Sequence, residues 1–141
     1  MRLSLLILVV LAGCATPEQQ PAPEAPPAPP PPLQHKESIA VAGLMESARA
    51  ETAAGNLASA AASLERAIRI EPRNPRLWHE LARVRLKQGQ YAQAESVAAR
   101  SNSWAGDDRA LRAENWRLIA ESRRARGDED GAKAALDPSN R

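Results

Sequence analysis

The chain has 141 residues, a formal net charge of +2, one cysteine and no phenylalanine. A lone cysteine excludes an internal disulfide framework, and so small a net charge gives no ground for nucleic-acid binding. Arginine supplies sixteen of the nineteen Lys and Arg side chains, alanine is abundant and aromatic residues are scarce. That composition favours close-packed helices over sheets, which draw on β-branched and aromatic residues.

The first element expected is a secretory leader over residues 1–13. Arg2 precedes a mainly apolar run, Leu3 to Leu11, followed by the small residues Ala12 and Gly13. A membrane crossing needs about 20 apolar residues, so this run is too short to be one. Leu11-Ala12-Gly13-Cys14 resembles the lipobox of bacterial lipoproteins. The resemblance implies cleavage before Cys14, a diacylglyceryl group on its thiol and an acylated new amino terminus, with palmitate as the kind of chain attached. Several acyl chains hold a protein to a membrane firmly. Ala15 stands where inner-membrane lipoproteins of enteric bacteria usually carry aspartate. By that resemblance the protein goes to the outer membrane, lipid-anchored and facing the periplasm.

Residues 14–35 then hold the lipidated Cys14 and a linker. PEQQPAPEAPPAPPPP, residues 17–32, contains nine prolines and no glycine. Proline fixes φ and removes a donor, so this stretch is expected as a disordered, extended spacer outside any packed core. At roughly 3.1 Å per residue it reaches about 50 Å.

A helical domain is expected over residues 36–141, built on a repeat. Gly55, Gly89 and Gly127 are each followed by a polar residue. Eleven residues before them stand Leu44, Trp78 and Trp116, and four residues further on Ala48, Ala82 and Ala120. Ala60, Ala94 and Ala132 lie five residues after the glycines. Leu81 and Ile119 complete the large-small pairing on the first helices, Ala67 continues the second helix of the first repeat, and Pro72 helps end it. The pattern predicts helix, glycine turn, helix, three times over, with repeats at about 41–74, 75–108 and 113–138. The second step is four residues longer than the first, which places extra residues around Trp104-Ala105-Gly106-Asp107.

These positions resemble the signature of the tetratricopeptide repeat. The resemblance implies an all-α fold, a short right-handed solenoid of about three helix pairs, stacked because no pair buries its apolar face alone. The third repeat ends near Leu136, before Asp137-Pro138, and without a polar capping helix it is expected to leave apolar surface open to a partner or a second copy.

No catalytic constellation stands out. His35 and His79 lack a partner at a metal-ligand spacing, and neither a nucleophile elbow nor a phosphate-cradling glycine loop is present. Asp128-Glu129-Asp130 reads as the acidic opening of a helix, where carboxylates complement the dipole. The expectation is therefore a protein that is not an enzyme, with no cofactor beyond the covalent lipid on Cys14, and with neither metal nor nucleic acid as a ligand.

In tetratricopeptide arrays the first helix of each repeat lines the concave face. Carried onto this sequence, that places Met45 and Arg49, then Arg76, His79 and Arg83, then Arg117 with Arg124 one turn beyond, in a candidate peptide-binding groove. Ala42, Glu114 and Glu121 fall in the same register. Such arginines suit an acidic segment or a chain-terminal carboxylate. Glu46, Glu80, Glu114 and Glu121 are spaced to neutralise them instead.

The anchor, spacer and short repeat domain are together similar in architecture to the pseudomonad-type lipoprotein activators of class A penicillin-binding proteins. That resemblance implies an outer-membrane module that docks on a peptidoglycan synthase in the periplasm. The alternative is a pilotin or another assembly lipoprotein for an outer-membrane complex, whose clients lie in its own membrane and require no long spacer.

Overall fold

The computed structural model describes Ser38–Asp137. The expected leader, Cys14, the proline-rich spacer, His35 and the residues after 137 lie outside the described residues. Six helices follow one another: α1 Ile39–Ala53, α2 Leu57–Ile70, α3 Pro75–Lys87, α4 Tyr91–Trp104, α5 Arg109–Ala125 and α6 Glu129–Ala135. Each packs on the next, and α3 also touches α5, so the chain is an all-α solenoid of three helix pairs.

The helix boundaries follow from local chemistry. Ser38 caps α1 by accepting from the Val41 amide at 3.3 Å, and Asn74 caps α3 through Arg76 N, with Pro75 as the first helical residue. The turns within the pairs close on Gly55, Gly89 and Gly127, whose φ angles of 81°, 73° and 80° are costly for any residue with a Cβ. Gly131 has a different reason to be glycine. Asp128 caps α6 by accepting from the Gly131 amide at 2.8 Å, and a Cβ on Gly131 would lie 2.0 Å from Asp128 Oδ2. The cap occupies the space a side chain would need.

The four residues that lengthen the second step do not form a longer connection. α5 starts at Arg109 rather than at Ala113, and it has 17 residues against 13 in α3. Asp108 nucleates that extra turn by accepting from Leu111 N at 3.0 Å.

The core divides in two. Leu64, Leu77, Leu81, Val41 and Val84 fill the space among α1, α2 and α3, together with Met45 and Ile68. The second cluster, among α3, α4, α5 and α6, is made largely of alanine around Ile119. Val97 packs against both. Alanine in facing positions brings helix backbones close, and this is how a seven-residue helix as small as α6 can be seated at all. Its Ala132 and Ala135 are buried. Among the described residues the exposed large apolar side chains are Ile39, Ile70 and Trp104, none of them on α5 or α6. The open apolar end expected after the third repeat is therefore absent from the described residues, because α6 presents alanines inward and charges outward.

Candidate functional site

The first helices α1, α3 and α5 share one face of the solenoid, and several hollows lie along it. Two of them hold groove candidates from the sequence other than Arg83 alone. The first, a cavity of about 240 Å³, sits between α1 and α3. Met45, Ala48, Leu64 and Val84 give it an apolar floor, and Arg49, Glu80, Arg83 and Lys87 form its rim. The second lies between α3 and α5 and is bounded by His79, Arg83, Glu114, Arg117 and Leu118. Arg83 lines both, so the two hollows form one continuous track.

The charges along this track are mostly spoken for. Arg49 lies 3.6 Å from Glu46 and Arg83 3.1 Å from Glu80, both one turn apart on their own helices. Arg76 and Arg124 line neither hollow. They lie beside Asp108 and Glu129, each 3.5 Å away, and these carboxylates come from the starts of α5 and α6. Those pairs are exposed, and exposed pairs contribute little stability, yet they still cancel charge a ligand would otherwise meet. Lys87 and Arg117 keep no carboxylate within ion-pair distance among the described residues. They are the track's two cations without an ion pair, and they share its hollows with the carboxylates of Glu121 and Glu114.

Two of the seven groove candidates are not surface residues. Met45 is 7% exposed and belongs to the first core cluster, so it contributes shape to the floor and little surface. His79 is 9% exposed and belongs to a buried polar network. Its Nδ1 lies 2.8 Å from Asn115 Oδ1, while the Asn115 amide donates to Ser101 Oγ at 2.8 Å and to Asn102 Oδ1 at 2.9 Å. Ser101 in turn donates to the Pro75 carbonyl at 2.8 Å. With both amide protons of Asn115 committed, its Oδ1 can only accept, so His79 Nδ1 must carry the proton. Nε2 is left facing the track, 3.6 Å from Glu114. This buried network joins α3, α4 and α5 between the two apolar clusters. Asn115 is wholly buried, and its polar neighbours are separated from it by 13 to 36 positions, so only the fold reveals the network.

The repeat-signature residues lie beneath this face or at its turns. Ala48, Ala60, Ala67, Leu81, Ala82, Ala94, Ile119, Ala120 and Ala132 are buried, and Leu44, Trp78 and Trp116 are half-buried against the clusters. Trp78 donates from Nε1 to the Pro72 carbonyl at 2.8 Å, which locks the turn between the first two repeats to α3. Among the described residues no group of three or more His, Cys, Asp or Glu side chains is arranged to hold a metal ion.

Comparison with known proteins agrees with this architecture. A tetratricopeptide repeat family model matches residues 51–114. The solved structure of the globular C-terminal domain of P. aeruginosa LpoP is similar to the chain with a TM-score of 0.69 and 47% sequence identity. That match covers 70% of this chain and 93% of the LpoP domain. No curated protein matches the sequence.

Proposed function

This chain belongs to the tetratricopeptide repeat family and is a protein-interaction module, and we propose that its client is a class A penicillin-binding protein whose peptidoglycan synthesis it stimulates. The observation that carries the reading is the 47% identity to the LpoP globular domain across 93% of that domain, a domain that stands, as here, at the C-terminal side of its chain. It adds a likeness of the folded part to the resemblance already carried by Cys14 and the proline-rich segment. On this reading the lipid at Cys14 fixes the protein to the inner leaflet of the outer membrane. The stiff spacer then carries the repeats toward an enzyme rooted in the opposite membrane, and the fold contributes a rigid face rather than a reactive group.

The track on α1, α3 and α5 is the surface proposed to hold the client. Its apolar floor accepts one side chain, and Lys87 and Arg117 are placed to meet carboxylates beside it. The test is glycan polymerisation by a purified class A penicillin-binding protein with and without the full chain in detergent micelles. We expect faster polymerisation with the full chain, and loss of most of that gain in the Lys87→Glu/Arg117→Glu variant. Direct binding to the enzyme with no change in rate would leave a scaffold and overturn activation. Binding to secretin or barrel-assembly components, with none to the synthase, would assign the protein to outer-membrane assembly instead.

A further inference from the structure

Three arginines without a carboxylate gather where the second helices lie. Arg69 on α2, Arg73 in the turn after it and Arg100 on α4 are exposed and make no ion pair among the described residues. They surround two tryptophans. The Arg73 guanidinium stands 5.4 Å from the centre of the Trp104 ring, and Arg100 lies 5.6 Å from Trp78 and 6.0 Å from Trp104. Stacking on an indole holds a guanidinium in place while leaving its N–H edge free to donate. Trp104 is 37% exposed, one of the few large apolar groups the described residues present to solvent.

Beside this cluster runs an open cleft of about 420 Å³ between α2 and α4. Ile68, Leu81, Val97 and the Trp78 ring line it, with Arg69 at its edge. The cleft's own carboxylate, Glu65, is held by Arg85, which also donates to Gln88 and Gln90. Glu71, the nearest acidic residue in sequence, accepts from the Ser38 amide at 2.9 Å and from Asn74 at 2.8 Å. Arg69, Arg73 and Arg100 thus keep their donors free of any carboxylate within ion-pair distance among the described residues.

We propose that the Trp78–Trp104 arginine cluster and the adjoining cleft form a second docking site, and that its occupant is an acidic segment of a protein partner bearing an apolar side chain. The arginines supply oriented donors for carboxylates, and the cleft supplies an apolar seat next to them. Both features select a polypeptide. A hydroxyl-rich acidic glycan gains nothing from Ile68, Leu81 and Val97, and a cleft walled by two helices admits a side chain but not a bilayer surface. With one surface on the first helices and one on the second, the domain can hold two segments at once, and the effective concentration of the second rises once the first is bound. The site stands on charge and shape alone and does not depend on which enzyme is the client.

The test titrates the full chain with a short synthetic peptide of Glu and Asp carrying one central Leu, followed by tryptophan fluorescence. Saturable binding is expected, weakened at least about tenfold in Arg69→Ala/Arg100→Ala, since each arginine removes a charge-assisted contact. Arg100→Lys should recover only part of the loss, and the component lost in Arg69→Ala/Arg100→Ala should persist in Lys87→Glu/Arg117→Glu. All these side chains are exposed or stacked at the surface, and an unchanged helical circular dichroism spectrum checks that the variants fold. Failure to saturate at millimolar peptide, or equal binding by the double alanine variant, overturns the proposal. So does arginine-dependent binding of polygalacturonate or phosphatidylglycerol vesicles in place of the peptide, or a dimer of the chain that the double variant abolishes. Loss of synthase stimulation with peptide binding intact would count against the proposed client alone.

Discussion

Replacing Asn115 by alanine should be among the most damaging single changes available in the C-terminal half. Asn115 is fully buried and makes three hydrogen bonds, to His79, Ser101 and Asn102, all between 2.8 and 2.9 Å. Truncation leaves the His79 Nδ1–H without an acceptor and the Asn102 side-chain Oδ1 without a donor. Moving the His79 proton to Nε2 does not help, because it exchanges an unpaired donor for an unpaired acceptor in the same dry place. Ser101 keeps its bond to the Pro75 carbonyl and loses little. Each orphaned buried group costs about 1–3 kcal/mol. Asn102 is only half-buried and can find water, so the sum falls near 2–4 kcal/mol rather than at the upper limit. A domain of this size has roughly 5–15 kcal/mol to lose in total, and each kcal/mol moves its melting temperature by about 4–8 °C. The expected fall is therefore on the order of 10–30 °C in a melt of the full chain followed by far-ultraviolet circular dichroism. Asn115→Asp keeps the acceptor for His79 but sets a buried carboxylate oxygen against Ser101 Oγ and Asn102 Oδ1, and should cost at least as much as the alanine. A loss under about 1 kcal/mol for Asn115→Ala would refute the reasoning, because it would mean that the network is no better satisfied than the water that replaces it.

Other substitutions probe different parts of the argument. Leu64→Ala empties the centre of the first core cluster, where the side chain is 1% exposed, and should cost about 2–5 kcal/mol in urea unfolding. Ser122→Ala should raise the urea midpoint, since its fully buried Oγ has no hydrogen-bond partner and alanine is the better helix former, a gain of about 1 kcal/mol. Asp128→Ala removes the cap of α6 and should cost about 0.5–2 kcal/mol, with hydrogen exchange at the Gly131 amide accelerating more than exchange in α3.

Much of the fold was legible because tetratricopeptide repeats write their packing in the chain. Glycines 34 and 38 positions apart mark turns that require positive φ, and the Trp-Ala pairs mark the close approach of helices. The extra turn of α5 was not legible. It depends on Asp108 acting as a cap, and Asp107 beside it offered the same chemistry. The site was harder still. Carboxylates one turn away, at Glu46 and Glu80, could be anticipated for Arg49 and Arg83, whereas Asp108 beside Arg76 is a contact made only by stacking repeats. The same holds for His79, whose alignment with the groove register says nothing of Asn115, 36 residues on. The arginine cluster is hidden in the sequence for the opposite reason. Arg73 and Arg100 are distant in sequence and look like ordinary surface charge until both are found over Trp104.

The bond from the Ser38 amide to Glu71 has a mechanical meaning. Glu71 is fastened through Asn74 to the turn that starts α3, and Trp78 grips the same turn at the Pro72 carbonyl. The point where the chain enters the domain is thus riveted to the junction of the first two repeats. A pull arriving along the preceding segment is delivered across α1 and α2 together and loads their shared apolar contact in shear. Without that rivet, the same pull would lift α1 away one turn at a time, which takes far less force. On the proposed reading, with an anchor before Ser38 and a partner on the repeats, this bond is the one that meets such a load.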